Sequence, residues 1–136
     1  MKKLVLATIA GYVALMATNY VVHSIWLMAD YAAIPASHRS PEGMMHRFWA
    51  MLIGQFFFAA LFAYIYQRGI EPKPWPGQGI RYAIMVTFLT VVPYSLSDYV
   101  GYIVPYQLVI KWMIAGGIQL GIMGLIVAAI YNNQRT

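Results

Sequence analysis

Residues 112–131 read WMIAGGIQLGIMGLIVAAIY, twenty residues without one charge. A helix needs about 20 apolar residues to cross a hydrocarbon core ~30 Å thick. Three further stretches, 4–26, 48–66 and 82–96 (running on toward 104), have the same character. Almost every charged residue falls between these stretches. The expected fold is therefore all-α: a polytopic membrane protein built as a four-transmembrane-helix bundle. Its spans should cover about 4–29, 44–67, 80–103 and 107–131, in a single integral membrane domain over 1–136.

Composition narrows the function classes. Hydrophobic residues make up 61% of the 136 and charged ones 10%, against about a quarter charged in soluble domains. The spans leave no stretch for a separate soluble domain. The net charge of +5 does not point to nucleic acid, because the basic residues are scattered over loop ends and form no stripe. They suit anionic lipid head groups. The absence of cysteine removes disulfides and thiolate chemistry. Lys2 and Lys3 precede an apolar run too long for a signal peptide's core, so the first segment reads as a retained span.

Basic residues near the spans orient the chain. Lys2, Lys3, Arg68, Lys73, Arg81 and Arg135 fall on one side; Arg39, Arg47 and Lys111 fall on the other. That split places both termini in the cytoplasm of a multi-pass inner (plasma) membrane protein, and the 30–47 segment outside. Ser40-Pro41-Glu42 reads as a helix start: a capping serine, a proline at the first helical position and an acid at the positive dipole end. Gln67-Arg68-Gly69 reads as a stop with glycine in the left-handed conformation. Residues 71–77, with three prolines, read as a stiff inner loop. Trp26, Trp49, Trp75 and Trp112, with Tyr20, Tyr64, Tyr66, Tyr82, Tyr99, Tyr102, Tyr106 and Tyr131, fall where interfacial aromatic belts lie.

The two halves resemble each other. Tyr12 and Val21-Val22-His23 match Tyr82 and Val91-Val92-Pro93 at one offset, and Asp30-Tyr31 parallels Asp98-Tyr99. Arg47-Phe48-Trp49 parallels Ile110-Lys111-Trp112. Both halves begin on the same side, so two tandem helical hairpins would form a parallel repeat.

Polar groups at membrane depth are the candidate site residues. Asp98 lies about 17 residues beyond Arg81, so ~25 Å along a helix. A carboxylate there costs roughly 2.5–3.5 kcal/mol and should face the bundle or be paired. Lys111 is its expected partner, as an ion pair pinning two helices or as part of a proton or cation site. His23, Asp30 and His46 cluster near the same leaflet, with Asn19, His23, Trp26 and Asp30 at helical spacing. They are candidate ligands for a divalent ion, though no His-x₃-His pair is present. His38 reads as a plain loop residue. Pro93 removes the hydrogen bond to the Leu89 carbonyl, with Thr90 able to compensate, and Thr87, Thr90, Tyr94 and Ser97 form a polar stripe. Gly117-x-x-x-Gly121 and Gly124 form a small-residue seam, and Gln55 and Gln119 should hydrogen-bond across helices to fix register.

No catalytic constellation, phosphate loop or dinucleotide fingerprint is present, so no enzyme activity and no cofactor is expected. The expected role is that of an accessory, assembly or stabilising subunit of a membrane complex, or a self-associating bundle. Its partners would be lipids and either other subunits or further copies of the chain. The alternatives are a small proton, cation or solute transporter using Asp98, which would need a dimer, and metal or quinone binding near the outer interface. The organisation resembles that of small four-helix bacterial membrane proteins, a likeness of shape that carries no functional residue across.

Overall fold

The computed structural model describes residues 1–34 and 39–132; Pro35, His38 and Arg135 lie outside the described residues. Helix α1 (Lys2–Tyr20) runs on through a π-helical turn at Val21–Trp26, and a short α2 (Met28–Ala32) follows. Helices α3 (Pro41–Met45) and α4 (Phe48–Arg68) come next. Then α5 (Trp75–Val86), a second π-helical turn at Thr87–Val91 and α6 (Val92–Gly101) form one continuous rod. The chain closes with α7 (Tyr106–Asn132). No strand occurs among the described residues. Four helices are long and apolar enough to cross a membrane: Lys2–Trp26, Phe48–Arg68, Trp75–Gly101 and Tyr106–Asn132. In hydrocarbon a backbone must satisfy its own hydrogen bonds, which a helix does within one segment.

Several boundaries differ from expectation. Ser40 caps as foreseen, its Oγ accepting from the Gly43 N–H at 3.2 Å, with Pro41 in the first turn. The helix it starts ends at Met45, however, and α4 begins separately at Phe48 after a break at Arg47 (φ −111°, ψ 0°). Gly69 follows α4 as expected, but with φ −107°. It needs no left-handed conformation, because its N–H turns back to the Tyr66 carbonyl at 3.1 Å in a tightened last turn. The proline-rich loop after α4 is shorter than expected. Trp75, Pro76 and Gly77 already form the first turn of α5, where proline's missing N–H is no loss.

Helix α7 is the central pillar. It packs against α1 on one side and the α5–α6 rod on the other, and α4 lies against α1. The interior is built of small residues: Ala7, Ala59, Ala63, Ala83 and Ala128 are at most 2% exposed, around Leu120, Met123 and Val127. Small residues let helix backbones meet where lipid provides no drive to bury larger ones. Bulky apolar residues such as Val13, Phe57, Leu61, Phe88, Leu89 and Ile118 face outward. A surface of that kind would drive association in water, so the packing suits a membrane location.

The bundle is tight at the end that carries Lys2. There the Phe62 and Tyr82 rings lie 4.6 Å apart, Tyr66 and Tyr82 5.4 Å, and Tyr66 and Tyr131 5.9 Å. Their hydroxyls donate to the Phe62 carbonyl (Tyr82, 2.9 Å), to Gln78 Oε1 (Tyr66, 3.2 Å) and to Gln67 Oε1 (Tyr131, 3.0 Å). Tyr66 and Tyr131, 4% and 3% exposed, are thus core residues and not part of an interfacial belt. In the adjoining loop Glu71 is held between Lys73 and Arg81. The hydrogen bond from Lys73 keeps its carboxyl below the usual carboxylate range.

Candidate functional site

At the opposite end the four helices part, and polar residues gather between them. Three local features place them. The π turn at Val21–Trp26 adds a residue to its turn, shown by the Leu27 N–H reaching back to the Val22 carbonyl at 2.8 Å. The chain then breaks at Leu27 (φ −93°, ψ 3°), whose side chain is fully buried and anchors the bend. Beyond it, α2 carries Asp30 and Tyr31 onto the first turns of α7. The second π turn, at Thr87–Val91, precedes Pro93 and lets the α5–α6 rod continue past a residue that cannot donate.

Lys111 does not pair with Asp98, as the sequence suggested. Its Nζ donates to both carboxylate oxygens of Asp30, at 2.7 and 2.8 Å. The bend at Leu27 brings Asp30 to α7, while the Asp98 carboxylate on α6 has no ion pair or hydrogen bond among the described residues. One residue along, the pattern repeats: Trp112 Nε1 donates to the Tyr31 hydroxyl at 2.9 Å. Tyr31 also bonds His23 Nδ1 at 2.6 Å, and the two rings stack at 5.9 Å with an 11° tilt. Burial raises the phenol's pKa above its ordinary value, so Tyr31 keeps its hydrogen throughout the neutral range. Deeper in the bundle, Gln119 Nε2 donates to Asn19 Oδ1 at 2.8 Å and to Thr18 Oγ1 at 3.3 Å.

These contacts surround a cavity with two adjoining lobes. The outer lobe has a volume of about 490 Å³; His23, Tyr31, Tyr94, Ser95, Asp98 and Trp112 are among its walls. The deeper lobe, of about 320 Å³, is lined by Leu15, Asn19, Phe58, Thr90, Gly116 and Leu120, among others. Gln55, Val91, Tyr94 and Gln119 belong to both. Volumes of this order are those of small-ligand pockets. Helix α4 supplies Gln55 and Phe58 to one wall, and α6 supplies Tyr94 to the facing one. Tyr94 is 73% exposed and stands at the mouth.

The remaining predicted residues distribute as follows. His46 lies on the exposed α3 side, 3.9 Å from Glu42, and does not join His23 and Asp30. Among the described residues no three His, Asp or Glu side chains gather as a metal would require. Gln55 and Gln119 share the cavity wall but form no hydrogen bond with each other; Gln119 is engaged by Asn19 and Thr18. The stripe on the α5–α6 rod is mostly self-satisfied: Thr87, Thr90 and Ser97 donate to the Ala83, Val86 and Pro93 carbonyls, each at 2.8 Å. Thr90 therefore serves the Val86 carbonyl and not that of Leu89.

The close helix approach on α7 lies at Gly116 and Gly124, not at the expected Gly117-x-x-x-Gly121. A Cβ on Gly124 would stand 2.6 Å from the Gly79 carbonyl oxygen, and one on Gly116 2.6 Å from Val91. Gly117 makes an ordinary contact with Thr87, whereas Gly121 meets nothing within 4 Å. The close approach is Gly79-x-x-x-Ala83 against Gly124-x-x-x-Ala128, two small-residue pairs four apart that the sequence displays plainly. Tyr31 and Trp112 were missed as site residues. Their signal was adjacency: Asp30-Tyr31 and Lys111-Trp112 are complementary dipeptides, acid to base and hydroxyl to indole. No protein-family model, curated protein or solved structure matches the chain.

Proposed function

We propose that the chain is a small-solute carrier of the plasma membrane, with both termini cytoplasmic, whose binding site is the two-lobed cavity and whose ionisable anchor is Asp98. One observation carries this reading. Glu71 has Lys73 and Arg81, Asp30 has Lys111 and Glu42 has His46 nearby. Glu42, whose neighbour His46 is charged only when protonated, is exposed on α3; Asp98 has no ion-pair partner among the described residues, and it lines the larger lobe. An ionisable group at membrane depth is costly, and one left unpaired beside a cavity implies use. The tyrosine cluster at the Lys2 end would be the closed gate and the parted end the open one. In this reading one chain suffices to form the site. The subunit role has less support, because the glycine seam that suggested an external interface is mostly engaged inside the bundle.

The chain has no cysteine, so single cysteines report access cleanly. In proteoliposomes, Tyr94→Cys, which lines both lobes and is 73% exposed, should react with a membrane-impermeant maleimide added to either face, since a carrier exposes its site alternately. Ala83→Cys, 2% exposed in the core, should stay unlabelled. Labelling of Tyr94→Cys from neither face would contradict the reading; labelling from one face only would contradict carriage and leave binding alone.

A further inference from the structure

We propose that the ligand is a small cationic amphiphile, an ammonium head set against Asp98 with an apolar tail in the deeper lobe; this rests on the cavity being a binding site. The charge balance of the outer lobe sets the sign. Its one carboxylate, Asp98, has no cation beside it, and the nearest lysine in the polar cluster, Lys111, is held by both oxygens of Asp30. An anion would meet Asp98 with no free lysine or arginine among the lining residues. A cation would restore neutrality. The other walls include Tyr31, Tyr94 and Trp112, whose ring faces attract ammonium groups.

The deeper lobe sets the shape. Leu15, Phe58, Val91 and Leu120 make it apolar. Its polar members are mostly engaged: Asn19 with Gln119, and Thr90 with the Val86 carbonyl. Gln55 and Tyr94, at the junction of the lobes, make no side-chain hydrogen bond among the described residues. A head that needs charge and a tail that needs none fit the two lobes in order. Tyr94, 73% exposed on α6, and Gln55 on α4 line both lobes.

Binding to protein in nanodiscs separates the alternatives with three probes of matched size. These are benzyltrimethylammonium, its uncharged carbon isostere neopentylbenzene, and the anion benzenesulfonate. Benzyltrimethylammonium should bind at least tenfold more tightly than either of the others. Asp98→Asn should abolish that preference, Asp98→Glu should keep it, and Phe58→Ala should weaken benzyltrimethylammonium more than tetramethylammonium. The probe comparison in the unaltered protein decides the charge question even if a variant fails to fold. Equal binding of ammonium and isostere, or preference for the sulfonate, would overturn the cation assignment while leaving the cavity a binding site. Binding of none of them, with Tyr94→Cys unlabelled, would overturn both.

Discussion

Replacing Gly124 with alanine tests how the bundle is held. The added methyl would lie 2.6 Å from the Gly79 carbonyl oxygen, 3.0 Å from Ala83 Cβ and 3.3 Å from the Gly79 carbonyl carbon. Two of these atoms are backbone, so no side chain can swing aside. To reach ordinary contact, α5 must retreat from α7 by about 0.8 Å, in an interior packed like a crystal. Overpacking of this kind costs about 1–3 kcal/mol. Alanine recovers roughly 0.5–1 kcal/mol of helix preference over glycine. The net loss should lie between about 0 and 2.5 kcal/mol, centred near 1 kcal/mol. Gly121→Ala is the control, because nothing lies within 4 Å of its Cβ; it should be neutral or slightly stabilising. The assay is reversible unfolding in mixed detergent, followed by tryptophan fluorescence. Gly124→Ala as stable as Gly121→Ala would refute the reasoning.

Other perturbations address the parted end and the loop. Lys111→Met should destabilise by about 1–3 kcal/mol in the same unfolding assay, because it leaves Asp30 charged and partly buried. Removing both charges with Asp30→Asn should restore part of the loss. Tyr31→Phe deletes the hydroxyl that joins Trp112 and His23 and should cost about 1 kcal/mol, with a shift in Trp112 emission. Glu71's carboxyl is held below its ordinary value of 4.5, chiefly by Lys73. The loop clip should therefore be intact above pH 4.5 and loosen as pH falls through the depressed value, read as rising amide exchange at residues 69–74.

The architecture was legible because hydropathy and segment length alone specify helices that can span lipid. The Ser40 cap was legible because its chemistry is local. What escaped was set by backbone irregularity. The π turn at Val21–Trp26 and the break at Leu27 turn Asp30 toward Lys111, and no periodicity argument foresees an extra residue in a turn. A straight-helix count therefore gave Lys111 to Asp98. Asp98 and His23 were recognised as site candidates from scarcity, since polar groups are rare in such segments. Tyr31 and Trp112 were not, because aromatic residues near span ends have an ordinary interfacial role that hid their hydrogen bond. The Gly79–Gly124 contact was hidden by the competing Gly117–Gly121 spacing, although Gly124-x-x-x-Ala128 fits the same small-residue rule.

Of the two aspartates near the parted end, Asp30 is held by Lys111 and the Asp98 carboxylate is free. Proteoliposomes treated with a water-soluble carbodiimide and an amine nucleophile, then mapped by mass spectrometry, report this residue by residue. Asp98 should be modified, and its modification slowed by benzyltrimethylammonium, while Asp30 stays protected by Lys111. Modification of Asp30 with Asp98 untouched would show that Asp98 is not the free carboxylate of the cavity.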